Sequence, residues 1–330
     1  MSVNMKNLNE DIKTGNFRPV YLLYGEEAYL KKQYRDKLTK AIFPDGDTMN
    51  YSYFEGKGIA VTELIDLGET MPFFAERRLI VVENSGFFKS ATPELADYMK
   101  VMPDTTCFIF VESEVDKRGK LFKAVKDKGC VVEMGRQDEK TLLIWIASNM
   151  KREGKQIKES TARYLVTKTG ADMENLEKEM EKLFSYTLGN TEITMQDVDD
   201  ICTTQITNKI FEMVEAVAEK QQKKALDYYY DLLALKEPPM RILYLLTRQF
   251  KLLLQVKELL QKGFEKSQIA KTAGLHPFVA GKYMKQCKTF SKEELREIME
   301  EAALTEELVK TGRLNDRMSV ELFIVKYSAS

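Results

Sequence analysis

Over the first 138 residues, short apolar runs alternate with stretches whose apolar positions recur at helical spacing. Val20–Tyr24, Thr106–Val111 and Cys130–Glu133 are rich in β-branched and aromatic residues and read as strands. Leu79–Val82, branched throughout and flanked by charge on both sides, reads as a strand buried on both faces. A shorter strand is expected over Met49–Phe54. Between them, helices are expected over Leu8–Thr14, from Glu26 onward, and over Val61–Met71, Pro93–Met99 and Gly119–Asp127. Strands and helices in this alternation predict an α/β domain with a largely parallel sheet.

From residue 139 the pattern is helical. Leu142, Leu143, Ile146 and Met150 make one apolar stripe, Ser160–Lys168 a second helix, and Leu176, Met180, Leu183 and Phe184 a third. Thr194 followed by Asp197 is a capping signal for a fourth. Trp145, the single tryptophan, is expected in the core. From about Thr207 the helices lengthen: Ile210–Ala218, Ala225–Leu235, a break at Pro238-Pro239, then Ile242–Leu260, Glu293–Lys310 and Met318–Tyr327. The fold class is thus α/β plus all-α. Three domains are expected, at 1–138, 139–206 and 207–330.

Three places depart from simple patterning. In Pro72-Phe73-Phe74-Ala75-Glu76-Arg77-Arg78, two large aromatics stand side by side, and neighbours cannot both face one core on a helix or strand. Either the chain twists there and both rings fill the core, or at least one is exposed as an anchor for a pocket on another protein. At Tyr24-Gly25-Glu26-Glu27, a strand, a glycine turn and a helix stand where a phosphate-binding loop would sit. Such a loop needs several glycines, a lysine and a Ser/Thr, whereas Glu26 and Glu27 would repel a triphosphate and Lys31 lies a turn into the helix. Finally, Gln268–Ala280 has helix-turn-helix spacing, with Ala270 four residues before Gly274. DNA reading and a plain corner between bundle helices both fit it, and Pro277 suits a first helical position in the latter.

Fifty basic and fifty-one acidic residues give a formal charge of -1, so no global field draws the chain to nucleic acid or an anionic membrane. One histidine, His276, argues against zinc chemistry and histidine-based triads. The four cysteines, Cys107, Cys130, Cys202 and Cys287, lack metal-ligand spacing and fit free thiols in a reducing cytoplasm. Met1–Leu8 is polar, and no stretch has the apolar length of a membrane span.

Taken in order, Tyr21–Leu30, Pro72–Val82, Asp116-Lys117-Arg118 with Leu121-Phe122, and Leu275-His276-Pro277-Phe278-Val279 resemble the delta subunit family of the bacterial DNA polymerase III clamp loader. The resemblance implies an AAA+-like parallel-sheet domain, a small helical lid and a C-terminal helical collar that holds a ring of subunits together. It implies no ATPase activity of its own, within a complex that has DNA-directed DNA polymerase activity. Where active relatives end a core strand in Asp-Glu, this chain has Glu83-Asn84, and where they carry Ser-Arg-Cys to donate an arginine finger it has Lys128-Gly129-Cys130. The degenerate nucleotide site would comprise Gly25, Glu26, Glu27, Glu83 and Asn84. Phe73 and Phe74, with Met71 and Pro72 beside them, would enter a pocket on the sliding clamp. Implied partners are that clamp (the beta subunit), the gamma/tau and delta prime subunits, and primer-template DNA through the assembled complex. No cofactor, metal or membrane is implied. A working nucleotide hydrolase and a helix-turn-helix regulator remain as alternatives.

Overall fold

All five expected strands of the first block are present, and every pairing between them is parallel. The computed structural model describes residues 3–44, 46, 48–204 and 206–329; Met1 and Ser2 of the polar N-terminal stretch lie outside these. The chain forms two units, one extending to Arg136 and one from Gln137 onward.

In the first unit the order is α1 (Val3–Thr14), β1 (Val20–Tyr24), α2 (Ala28–Ile42), β2 (Tyr51–Glu55), α3 (Val61–Glu69), β3 (Arg78–Glu83), α4 (Pro93–Val101), β4 (Thr106–Glu112), α5 (Lys120–Lys128) and β5 (Cys130–Glu133). The sheet runs β2-β3-β4-β1-β5. Its three inner strands are buried along their whole length, as continuous apolar runs require when helices cover both faces. Side chains alternate across the pleat, so Leu22, Ile80, Val82, Phe108 and Phe110 share one face. There they form a core with Leu64 of α3, Leu95 and Met99 of α4 and Leu121 and Val125 of α5. Phe108 and Phe110 stack within that face at 5.6 Å.

Parallel strands sort the loops. Gly25, Asn84 and the end of β4 gather at the C-terminal edge of the sheet, where open α/β sheets bind ligands. The segments entering β2 and β3 lie at the opposite edge.

The second unit contains α6 (Glu139–Arg152), β6 (Gln156–Ile157), α7 (Glu159–Thr169), α8 (Met173–Tyr186), β7 (Glu192–Ile193), α9 (Met195–Ile201), α10 (Ile206–Ala218), α11 (Gln222–Ala234), α12 (Pro239–Gln261), α13 (Lys266–Thr272), α14 (Pro277–Gln286), α15 (Lys292–Lys310) and α16 (Asp316–Ser328). Thr194 and Asp197 close a reciprocal capping box at the start of α9. Residues of α10 to α16 build one core around Tyr229, Leu246, Phe250 and Leu253. β6 and β7 pair in parallel over two residues, too short a pairing to leave a period in the sequence.

Several boundaries differ from the expectation. α2 begins at Ala28 rather than Glu26, because Glu27 directs its backbone N–H to the Met134 carbonyl before the helix starts. β2 is displaced to Tyr51–Glu55, since Asn50 faces the loop before β3. α3 stops at Glu69, two residues before Met71. Trp145 is half-buried rather than a core residue; Leu142, Ile146 and Met150 on the same helix hold the interior positions.

Candidate functional site: the loop before β3 and the ends of the strands

The loop between α3 and β3 turns apolar side chains outward on a fixed backbone. Phe74 is 95% exposed and Phe73 57%, so both rings, rather than one, leave the core. Met71 is exposed beside them and Pro72 half-buried. The two rings meet edge to face at 4.5 Å, a geometry favoured by their quadrupoles. Phase alone does not allow neighbours to share a face. Phe74 adopts a left-handed φ of 49°, which redirects the chain between the two side chains. That conformation is uncommon for a bulky residue and persists only when the surroundings enforce it.

Two buried side chains supply the enforcement. Asn50, fully buried, accepts the Phe73 backbone N–H at 2.6 Å through Oδ1 and donates through Nδ2 to the Phe73 carbonyl at 2.9 Å. Its own carbonyl accepts the Leu79 N–H at 2.8 Å, so the residue is held by the sheet that it extends. Arg78, at the first position of β3, donates from Nε to the Thr70 carbonyl at 3.0 Å and from Nη2 to Met71 at 3.4 Å. Thr106 of β4 donates to the Gly68 carbonyl at 2.7 Å, fixing the end of α3. Asn50 is not evident from the sequence as a site residue, because no short motif links positions 23 residues apart, and the partners of Arg78, Thr70 and Met71, are carbonyls that the sequence does not mark.

At the other edge of the sheet, the groups that would cradle a phosphate already have partners. Gly25 donates its N–H to the Glu112 carbonyl at 3.2 Å, and Glu27 donates to Met134 at 2.9 Å. Gly25 sits at a φ of 128°, and a Cβ there would lie 2.4 Å from the Met134 oxygen. Lys31 follows Gly25 by six positions, the spacing between the first glycine and the lysine of a phosphate loop, a match hidden in the sequence by Leu30 in the second glycine position. Its ammonium is buried and donates to the Glu112 carbonyl at 3.0 Å. Burial lowers the Lys31 pKa, against the attraction of Glu112, Glu83 and Glu27. Glu26 is paired with Arg136 at 3.1 Å. Glu83 forms an ion pair with Arg35, and Asn84 adopts a φ of 52° with its N–H on the Val111 carbonyl at 2.9 Å. Gly129, in the Lys-Gly-Cys segment, admits no side chain: a Cβ would fall 1.9 Å from the Val20 carbonyl oxygen.

The helix-turn-helix spacing produces a corner of the bundle. His276 caps α14 through Nδ1, Pro277 opens it, and Ile269, Leu275 and Tyr283 lie in the core. Within α14, Phe278, Ala280, Tyr283 and Gln286 are buried and Lys285 is exposed. Among the described residues no cluster of three or more His, Cys, Asp or Glu is placed to hold a metal, and no helix is long and apolar enough to cross a membrane.

Residues 21–135 match the family "DNA polymerase III, delta subunit", and residues 207–327 match "DNA polymerase III delta subunit, C-terminal domain". The DNA polymerase III subunit delta of Bacillus subtilis is 30% identical over 96% of this chain and 95% of its own length. The chain belongs to the DNA polymerase III delta subunit family. A probable delta subunit of Aquifex aeolicus is 24% identical over 85% of this chain and 83% of its own length. The solved structure of the Bacillus subtilis DNA clamp loader delta protein superposes with a TM-score of 0.80 at 29% identity, covering 98% of this chain and 99% of that one. An AAA+-like sheet domain followed in the chain by helical domains is therefore the architecture of a clamp-loader delta subunit. Within this delta chain, the two loci differ in kind: one presents apolar surface to solvent, the other is closed on itself.

Proposed function

We propose that this delta subunit binds the ring-shaped sliding clamp through Phe73 and Phe74, with Met71 and Pro72 as the surrounding apolar surface, and opens the ring for loading onto primed DNA. The observation that carries the reading is the exposure of two adjacent phenylalanines on a loop whose backbone is tied down by Asn50 and Arg78. Exposed aromatic anchors cost solubility unless a partner covers them, and a rigid aromatic pair loses little entropy when it enters a pocket. Binding alone does not open a ring; the pair must bind the open clamp more tightly than the closed one.

The same reading assigns the chain no ATP hydrolysis. Support comes from the occupied donors at Gly25, Glu27 and Lys31 and from Asn84 in place of a second acidic residue. The second block, 139–206, then serves as a lid without nucleotide beneath it, and 207–330 as the collar that joins the gamma/tau and delta prime subunits in the cytoplasm. Primer-template DNA is gripped by the assembled complex.

The test is clamp binding by the purified chain beside Phe73→Ala plus Phe74→Ala, with circular dichroism as the folding control. Loss of about 2 kcal/mol or more of binding in a folded double variant is expected. Equal binding by both proteins would move the site elsewhere, and measurable ATP turnover by the purified chain would overturn the non-hydrolytic assignment.

A further inference from the structure

We infer that Asn50, together with Arg78, is a positioning residue of the clamp anchor: its side-chain amide holds the Phe73 peptide so that both rings stand outward before any partner arrives. This rests on the clamp-binding reading of Phe73 and Phe74.

The geometry is that of a strand pairing made by a side chain. A carboxamide sets an acceptor oxygen and a donor nitrogen in one plane, as a peptide does, and Asn50 uses both atoms on the two polar groups of Phe73, at 2.6 and 2.9 Å. A fully buried amide with unmet groups would be costly, so Asn50 and the loop specify one another. Arg78 fixes the stretch ahead of it by donating to Thr70 and Met71. The loop is thus held on both sides of Pro72, and Phe74, with its left-handed φ of 49°, is the first residue beyond the two fixed points. Two phenylalanines on a free loop would fold back onto apolar surface, because burying each ring is favourable. Held outward, they meet a pocket without first paying that reorganisation.

The first readout needs no partner. In the wild-type chain the Phe73 amide should exchange with solvent at least about tenfold more slowly than its intrinsic rate, although its side chain is exposed. In Asn50→Ala it should return to the intrinsic rate while amides of the central strands keep their protection. The second readout is a double-mutant cycle on clamp binding. Asn50→Ala should weaken binding roughly 5- to 30-fold, the equivalent of one or two hydrogen bonds. The same substitution placed on Phe73→Ala plus Phe74→Ala should change any residual binding by less than about twofold. Should Asn50→Ala fail to fold, Arg78→Lys, which keeps the charge and loses the forked donor, takes its place with the Thr70–Phe73 segment followed in the same way.

An unprotected Phe73 amide in the wild type overturns the inference whatever the clamp does. Protection lost in Asn50→Ala with unchanged clamp affinity overturns it as well, because the loop is then held for some other reason. If the wild type shows protection but no clamp binding, the functional reading fails while the clamping of the loop by Asn50 stands.

Discussion

The carboxylate of Glu112, 3% exposed as a residue, ends the central strand β4. Through Oε1 it accepts the Ser85 N–H at 3.0 Å, the Ser85 hydroxyl at 2.5 Å and the Gly86 N–H at 3.3 Å. Burial raises its pKa above the ordinary carboxylate value, and the bonds from Ser85 and Gly86 and the nearby Lys31 only partly oppose this. A carboxyl with a raised folded pKa binds its proton more tightly in the native state than in the unfolded one. Its contribution is fullest below the unfolded pKa and is lost as pH rises through the folded value. Glu112→Gln keeps the acceptor and removes the titration. The wild type should therefore gain stability on the variant as pH falls from 7 towards 4, by about 1.4 kcal/mol for each unit that burial raises the pKa. Thermal unfolding of both proteins over that range checks this. A difference that stays flat with pH would mean that the carboxyl titrates as if in water.

At the scale of elements, Gly129 joins α5 to β5 where the end of the helix approaches β1. Its φ is not left-handed; the requirement is space, since a Cβ would collide with the Val20 carbonyl. Gly129→Ala should cost on the order of 1–3 kcal/mol as the helix end or β1 shifts, measured by chemical denaturation. A neutral outcome would mean that this junction yields without strain. The same junction marks the limit of what a sequence discloses. β1, β5 and the helix start at Pro277 were legible to the residue, because runs of branched residues and a proline have one good structural use. α3 stops two residues short of its apolar pattern because Thr106 and Arg78 reach back to Gly68 and Thr70, contacts that belong to the folded chain. Phe73 and Phe74 stood out as adjacent aromatics, but whether they were core or surface turned on the φ of Phe74 and on Asn50. Trp145 is half-buried rather than in the core, because helical spacing defines a stripe without saying which edge of it faces inward.

Across the whole molecule, every group of the proposed clamp anchor lies in the unit that ends at Arg136: the loop 70–77, Asn50 before β2, Arg78 on β3 and Thr106 on β4. That unit has its own core, in which three strands are wholly buried between helices, and the helices α10 to α16 enclose one of their own. Interactions with no shared neighbours add independently, so removing the second unit should leave the anchor's affinity within about twofold. A fragment of residues 1–136 is accordingly expected to fold, by circular dichroism, and to bind the clamp nearly as tightly as the full chain in an equilibrium titration. It should fail to join the other loader subunits if the collar reading of 207–330 holds. A folded fragment that binds more than about tenfold weaker would place part of the clamp surface beyond Arg136, and the anchor would then account for only a share of the recognition.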